Sequence, residues 1–256
     1  RGGRSRRFIC FILFFLACKD DSDEPVNPVS TDSCVVKDFV TATFKIAFEY
    51  DNQGRISKQK FMTLKDSVID FQAFDYSTSG KVFITKTSNL YKCEITLNAK
   101  GDAQTKKETY YLTLNPLEID IVQETEYTYN AQGYLINEKL TTIDGSNTYT
   151  LNYQSTWLDG NLLTQKNVPE VGSQTIFNYT YYADMPNGLG KLERKYGFNG
   201  LKSKNLAKTR EESKSGSAAK ITTYTYTKDS KGNLATMTLS VAGSPDDVST
   251  VNWSCK

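Results

Sequence analysis

From residue 44 to residue 242 the chain keeps returning to one local pattern: an aromatic, a polar residue, a second aromatic, a turn ending in Gly, then an aliphatic. Its fullest copy is Phe48-Glu49-Tyr50-Asp51-Asn52-Gln53-Gly54-Arg55-Ile56. It returns as Phe74-Asp75-Tyr76 with Gly80-Lys81-Val82, as Tyr127-Thr128-Tyr129 with Gly133-Tyr134-Leu135, and as Tyr224-Thr225-Tyr226 with Gly232-Asn233-Leu234. Ile95-Thr96-Leu97 with Gly101 is a weaker copy, and Leu151-Asn152-Tyr153 with Gly160-Asn161-Leu162 has a stretched turn. Residues two apart share one face of a strand, so the paired aromatics brace neighbouring strands. The glycine supplies the positive φ that a short hairpin loop demands. No long amphipathic helix can be drawn through this pattern. The reading is an all-β fold: a long curved antiparallel meander of consecutive hairpins, with few or no helices, open or rolled towards a half-barrel. It forms a single domain over residues 34–256.

The rhythm breaks over residues 182–218, which hold Pro186, several glycines and the basic residues Lys191, Arg194, Lys195, Lys202 and Lys204. An irregular basic insertion on a regular sheet is a candidate binding loop. The competing reading is a crossover that covers one side of the sheet, with solvated lysines.

The first residues read as an address. Arg1, Arg4, Arg6 and Arg7 precede the apolar run Phe8–Leu16, which is too short to span a bilayer and reads as a secretory signal over residues 1–17. Leu16-Ala17-Cys18 resembles the lipobox of bacterial lipoproteins, which implies cleavage before Cys18 and acylation of its thiol and amine. Lys19-Asp20-Asp21 behind it resembles the export signal of surface lipoproteins in Bacteroidota, which implies display on the outer membrane. The remainder of residues 18–33 is acidic and proline-containing, a solvated tether. Losing the four arginines turns the formal net charge of +2 slightly negative, so nucleic acid is not an expected partner.

The hairpin pattern itself resembles the YD repeats of bacterial surface and toxin-shell proteins, although only Tyr50-Asp51 with Gly54-Arg55 keeps the full motif. A closer resemblance is to uncharacterised Bacteroidota lipoproteins of unknown function, which combine a lipobox with degenerate YD-like hairpins and a late segment like Gly200-Leu201-Lys202-Ser203-Lys204. Asp66-Ser67-Val68 resembles the short O-glycosylation acceptor of exported Bacteroidota proteins, with Ser67 as the acceptor.

Chemistry is constrained mostly by what is missing. The chain has no His, which removes the Ser-His-Asp triad, the Cys-His dyad and histidine-ligated metals. No catalytic residue, metal ligand or cofactor is assigned, and the expectation is that the protein is not an enzyme. After processing, Cys34, Cys93 and Cys255 remain. A Cys34–Cys255 bridge would tie the ends of the domain together, but in an open meander those ends lie apart, and Cys34–Cys93 is the competing pairing. The expected function is that of a lipid-anchored envelope protein: a surface binding or accessory module for a glycan, peptide or envelope partner. The alternatives are a carrier of a lipid or other hydrophobic ligand in a concave sheet, or a purely structural role.

Overall fold

A computed structural model of the chain describes residues 34–255, apart from 89, 115–116, 191 and 193–196. Sixteen strands follow one another. They are β1 (Val35–Val40), β2 (Lys45–Tyr50), β3 (Ile56–Met62), β4 (Val68–Asp75), β5 (Lys81–Lys86), β6 (Tyr91–Leu97), β7 (Ala103–Leu114) and β8 (Leu117–Tyr129). The second half comprises β9 (Leu135–Asp144), β10 (Asn147–Leu158), β11 (Asn161–Pro169), β12 (Thr175–Pro186), β13 (Asn205–Lys214), β14 (Lys220–Lys228), β15 (Leu234–Val241) and β16 (Asp247–Ser254). Every strand pairs antiparallel with its sequence neighbours, and β1 pairs with β16, so the sheet is a closed barrel.

The open or half-rolled meander expected from the sequence is therefore corrected. Closure satisfies the two edges that a meander would leave exposed. It rests on the β1–β16 ladder, in which Phe39 faces Val251 and Val36 faces Trp253. Cys34 and Cys255, just outside this ladder, are joined by a disulfide, while Cys93 is buried and unbridged.

Each recurrent glycine turn lies at the same end of the barrel, because each joins an even strand to the next odd one. The turns are built alike. Asp51, Asn98, Asn130 and Asp229 each donate their N–H to the carbonyl four residues on, and each carbonyl accepts the N–H of the turn glycine. Their side-chain oxygens accept further backbone N–H groups, such as those of Gln53 and Arg55 at Asp51 and of Lys231 and Asn233 at Asp229. A β-bulge follows in the odd strand: Tyr50 faces Ile56 while Glu49 faces Lys58, and Tyr129 faces Leu135 while Thr128 faces Asn137. The same shift recurs where Trp157 faces Leu162 and where Lys228 faces Leu234. Bulges increase the local twist, which helps the sheet to curl.

The aromatic towards the end of six of the even strands does more than pack. Tyr50 Oη donates to the Val36 carbonyl (2.6 Å), Tyr76 Oη to Ile56 (2.9 Å) and Tyr129 Oη to Ala103 (2.7 Å). Trp157 Nε1 donates to Leu135 (2.8 Å), Tyr181 Oη to Leu162 (2.8 Å) and Trp253 Nε1 to Leu234 (2.7 Å). Each bond ties the end of an even strand to the start of the odd strand before it. Burial pushes the phenols of Tyr50, Tyr76 and Tyr181 up to about 12, so they stay protonated donors at ordinary pH.

A sixteen-strand barrel is too wide for its own wall side chains to fill. At the turn end the gap is crossed by residues 187–204, shorter than the irregular stretch at 182–218 because β12 continues to Pro186 and β13 starts at Asn205. This crossover includes helical residues at Gly190, Leu192 and Gly197. It reaches β7, where the Phe198 carbonyl accepts the Ala103 N–H (2.5 Å). It returns along the turns, with Leu201 N–H on the Gly133 carbonyl (3.0 Å) and Lys204 N–H on that of Gly160 (2.7 Å). Leu189, Phe198 and Leu206 join Ile56, Phe74, Val82 and Ile95 in the apolar core. At Gly200, with φ +78°, an added Cβ would sit 2.6 Å from both the Gly133 carbonyl oxygen and the Tyr129 ring, so only glycine fits there.

At the opposite end the connections are turns of at most a few residues, such as 145–146 between β9 and β10. Among the described residues, nothing crosses that end. The barrel is a cup, closed at the turn end and open at the other.

If the β1–β16 seam closes the barrel, Cys34→Ser with Cys255→Ser should lower stability by roughly 2–5 kcal/mol. Thermal melts with and without reductant measure this. A variant that melts with the oxidised parent would show that the seam does not need the bridge.

Candidate functional site

The two faces of the barrel wall differ in chemistry. In β6, Tyr91, Cys93 and Ile95 are buried, while Lys92, Glu94 and Thr96 alternate with them on the other face. The outward face carries cross-strand ion pairs: Lys107–Glu124 (2.6 Å), Lys139–Glu126 (3.6 Å), Lys81–Glu94 and Lys60–Glu49. It also carries hydroxyl pairs, Thr156–Thr164 (2.5 Å), Thr180–Thr209 (2.6 Å) and Thr227–Thr236 (2.6 Å). Single aliphatics such as Ile176, Ile221 and Val248 are interleaved with Lys166 and Glu211. Most of the tyrosines and the buried aliphatics point inward, whereas Phe71 and Phe83 lie on the outer face.

The interior is uneven. Across β1–β6 the inward residues near the closed end are sealed in the core. On β7–β13 the inward face is polar and aromatic and opens towards the free end, where Tyr149 is 58% exposed. Two groupings stand out on this wall.

The first is an ion pair. Glu108 accepts a hydrogen bond from Tyr91 Oη (2.7 Å) and pairs with Lys106 Nζ (2.8 Å). Lys86 Nζ lies 4.2 Å from the centre of the Tyr91 ring, whose neighbour is Tyr110 at 5.2 Å between ring centres. Burial opposes ionisation of Glu108, but Lys106 and the Tyr91 hydroxyl outweigh it and hold the carboxyl below its usual range. Burial lowers the affinity of Lys106 for its proton, yet the neighbouring Tyr127 and Glu108 raise its pKa overall. Cys93, beside them, is pushed up to about 12 by burial and is no nucleophile at neutral pH.

The second is a row across four strands. In the ladders Tyr127 faces Glu138, Glu138 faces Tyr153, and Tyr153 faces Asn167. Glu138 is 9% exposed. Burial raises its pKa, partly countered by Lys106 and Lys202. Towards the open end lie the rows Thr125–Leu140–Leu151 and Gln123–Thr142–Tyr149. Thr125 Oγ1 and Asn167 Oδ1 are buried without a hydrogen-bond partner. A pocket of about 190 Å³ opens further round the wall, between Leu158, Leu163, Tyr179 and Tyr181, where β11 and β12 part.

The residues singled out from the sequence fall elsewhere. Cys18, Lys19, Asp20, Asp21, Lys191, Arg194 and Lys195 lie outside the described residues. Lys204 is tied by its backbone to the Gly160 turn, and Lys202 Nζ bonds to Asn199 within the crossover. Ser67 is exposed in the β3–β4 turn at the open end. The row was invisible to periodicity, because its members are unevenly spaced along the chain and only the ladder registers align them. Among the described residues, no group of three or more His, Cys, Asp or Glu is placed to hold a metal.

No family profile matches the chain, and no curated protein does. Solved structures do. A porin-like protein from Bacteroides uniformis aligns with TM-score 0.60 and 18% identity, over 90% of this chain and 99% of that one. A porin-like protein from Bacteroides vulgatus aligns with TM-score 0.62 and 14% identity, over 85% of this chain and 97% of that one. At such identity the likeness shows the barrel fold.

Two opposite shifts give opposite pH signatures. Glu108, with a lowered pKa, stabilises the fold above its unfolded value and loses that contribution as pH falls through its folded one. Glu108→Gln should therefore cost roughly 1.5–3 kcal/mol at pH 7, a gap that narrows towards pH 3. Glu138, with a raised pKa, contributes stability that is full below its unfolded value and is lost as pH rises through its folded one. Glu138→Gln should therefore gain on the parent as pH rises. Melting curves from pH 3 to pH 8 measure both, and parallel curves for either variant would contradict its assignment.

Proposed function

We propose that this chain is a lipid-anchored envelope protein whose barrel stands in water and binds a ligand in its cup, rather than a channel that crosses the membrane by its strands. The outward face carries this reading. A lipid-facing lysine or arginine at mid-depth of a membrane barrel costs about 2–4 kcal/mol, and this wall sets Lys107, Glu124, Lys139 and Glu126 side by side on its outer surface. Strand length supports it as well. A strand needs about 9–11 residues to cross a bilayer; β7 to β14 are long enough, but β1, β2 and β5 have six residues each and leave that side of the barrel too short. Charged pairs and hydroxyl pairs run across the outer face among its scattered aliphatics, which a lipid-facing belt would exclude.

The anchor fits the same geometry. Cys34 lies at the closed end beside Cys255, so a tether running back to an acylated Cys18 leaves from that end. The open mouth then faces away from the membrane. Lys19-Asp20-Asp21 supports placement on the cell surface, where the mouth meets external ligands.

Two measurements test this. The full chain carrying Cys18→Ala should leave the membrane fraction and stay monodisperse without detergent; a need for detergent would overturn the water-facing barrel. Changing Lys19, Asp20 and Asp21 to Ala should leave the protein acylated but protected from protease added to intact cells. Unchanged protease access would reduce those residues to a tether.

A further inference from the structure

We propose that the row Tyr127–Glu138–Tyr153–Asn167 on the inner wall is a binding site for a neutral oligosaccharide. This rests on the water-facing cup proposed above and names its ligand.

Four strands contribute one residue each, in continuous register, so that aromatic and hydrogen-bonding side chains alternate along the wall. Adjacent strands lie about 4.8 Å apart, which puts Tyr127 and Tyr153, like Glu138 and Asn167, about 10 Å from one another. That is about the reach of a disaccharide. Glu138 is nine-tenths buried, and no hydrogen bond holds its carboxyl among the described residues. Asn167 Oδ1 and, in the next row, Thr125 Oγ1 are likewise buried and unpartnered. Buried polar groups are normally satisfied, and each one left bare costs about 1–3 kcal/mol. Two such atoms beside the Glu138 carboxyl leave unused hydrogen-bonding capacity on one wall of the cup.

The chemistry selects among ligands. A metal cation is disfavoured because Lys106 and Lys202 both act on Glu138. An anion is disfavoured by Glu138 itself. A hydrocarbon would leave the polar groups bare. A sugar satisfies the site on both counts: its hydroxyls donate and accept, and the C–H faces of its rings pack on tyrosine rings. Tyr149, at the mouth, lies two rows above Tyr153 and offers a further ring on the way in.

The test uses the full chain carrying Cys18→Ala in detergent-free buffer, with cellohexaose, maltohexaose, xylohexaose and chitohexaose as probes and cis-parinaric acid as an apolar competitor. At least one hexasaccharide should bind by calorimetry. Tyr153→Ala and Asn167→Ala should each weaken it about tenfold, the worth of one lost hydrogen bond or stacking contact, while melting within a few degrees of the parent. Glu138→Gln, which keeps a donor and an acceptor, should bind within a few-fold of the parent, and Glu138→Ala should not. Binding of parinaric acid alone, binding of no hexasaccharide, or variants that fold and bind like the parent would each overturn the site. A chain that is soluble without detergent yet binds no sugar would sink this inference and leave the water-facing barrel standing. A chain that requires detergent would sink both.

Discussion

The pairing of the first strand with the last sustains everything else in this molecule. Fifteen of the ladders join sequence neighbours, and each could form in a flat or gently curved meander. The β1–β16 ladder alone turns the sheet into an enclosure with an inside and an outside. Without it the rings of Phe39, Phe48 and Tyr50 would line an exposed face, and the crossover at 187–204 would have no rim to span. The disulfide between Cys34 and Cys255 fastens the same seam, and the chain-entropy argument gives such a long loop its largest effect.

Around that seam the repeat works as a ring of latches. The asparagine or aspartate at the start of four of these turns satisfies the backbone of a tight loop. The bulge after it adds twist, and the terminal tyrosine or tryptophan hydrogen-bonds back to the preceding strand. These devices gather at one end, where the crossover also lies. The other end has only short turns, so the asymmetry of the cup follows from which connections the repeat occupies.

Resemblance in fold to porin-like structures leaves open which face of the wall meets which medium. Barrel closure satisfies the backbone equally well in water or in lipid; the medium is decided by which face is apolar. Here the outer wall bears ion pairs and threonines among scattered aliphatics and a few rings such as Phe71 and Phe83, while most of the tyrosines face the lumen. The same architecture is thereby available for enclosing a ligand rather than for conducting solutes through a bilayer. Within it, polar groups such as Thr125 and Asn167, buried without partners, are the features that a purely structural barrel would have least reason to keep.

Much of this was legible in the chain itself. Alternation at Phe44, Ile46, Phe48 and Tyr50 marks a strand with one buried face, and Gly54, Gly133 and Gly232 mark turns at positive φ. Both are local properties, set by steric rules that act within a few residues. Closure was not legible, because it depends on a ladder between strands at opposite ends of the domain, and no local pattern encodes such a pairing. The bulges hid the inner row in the same way. Each one moves the register by a residue, so Tyr127, Glu138, Tyr153 and Asn167 share a face only once every ladder is in place. Sequence alone determined most of the strands and the turns between them; the tertiary structure decided that the two faces of the sheet become the inside and outside of a closed barrel, because only long-range pairing can close a sheet on itself.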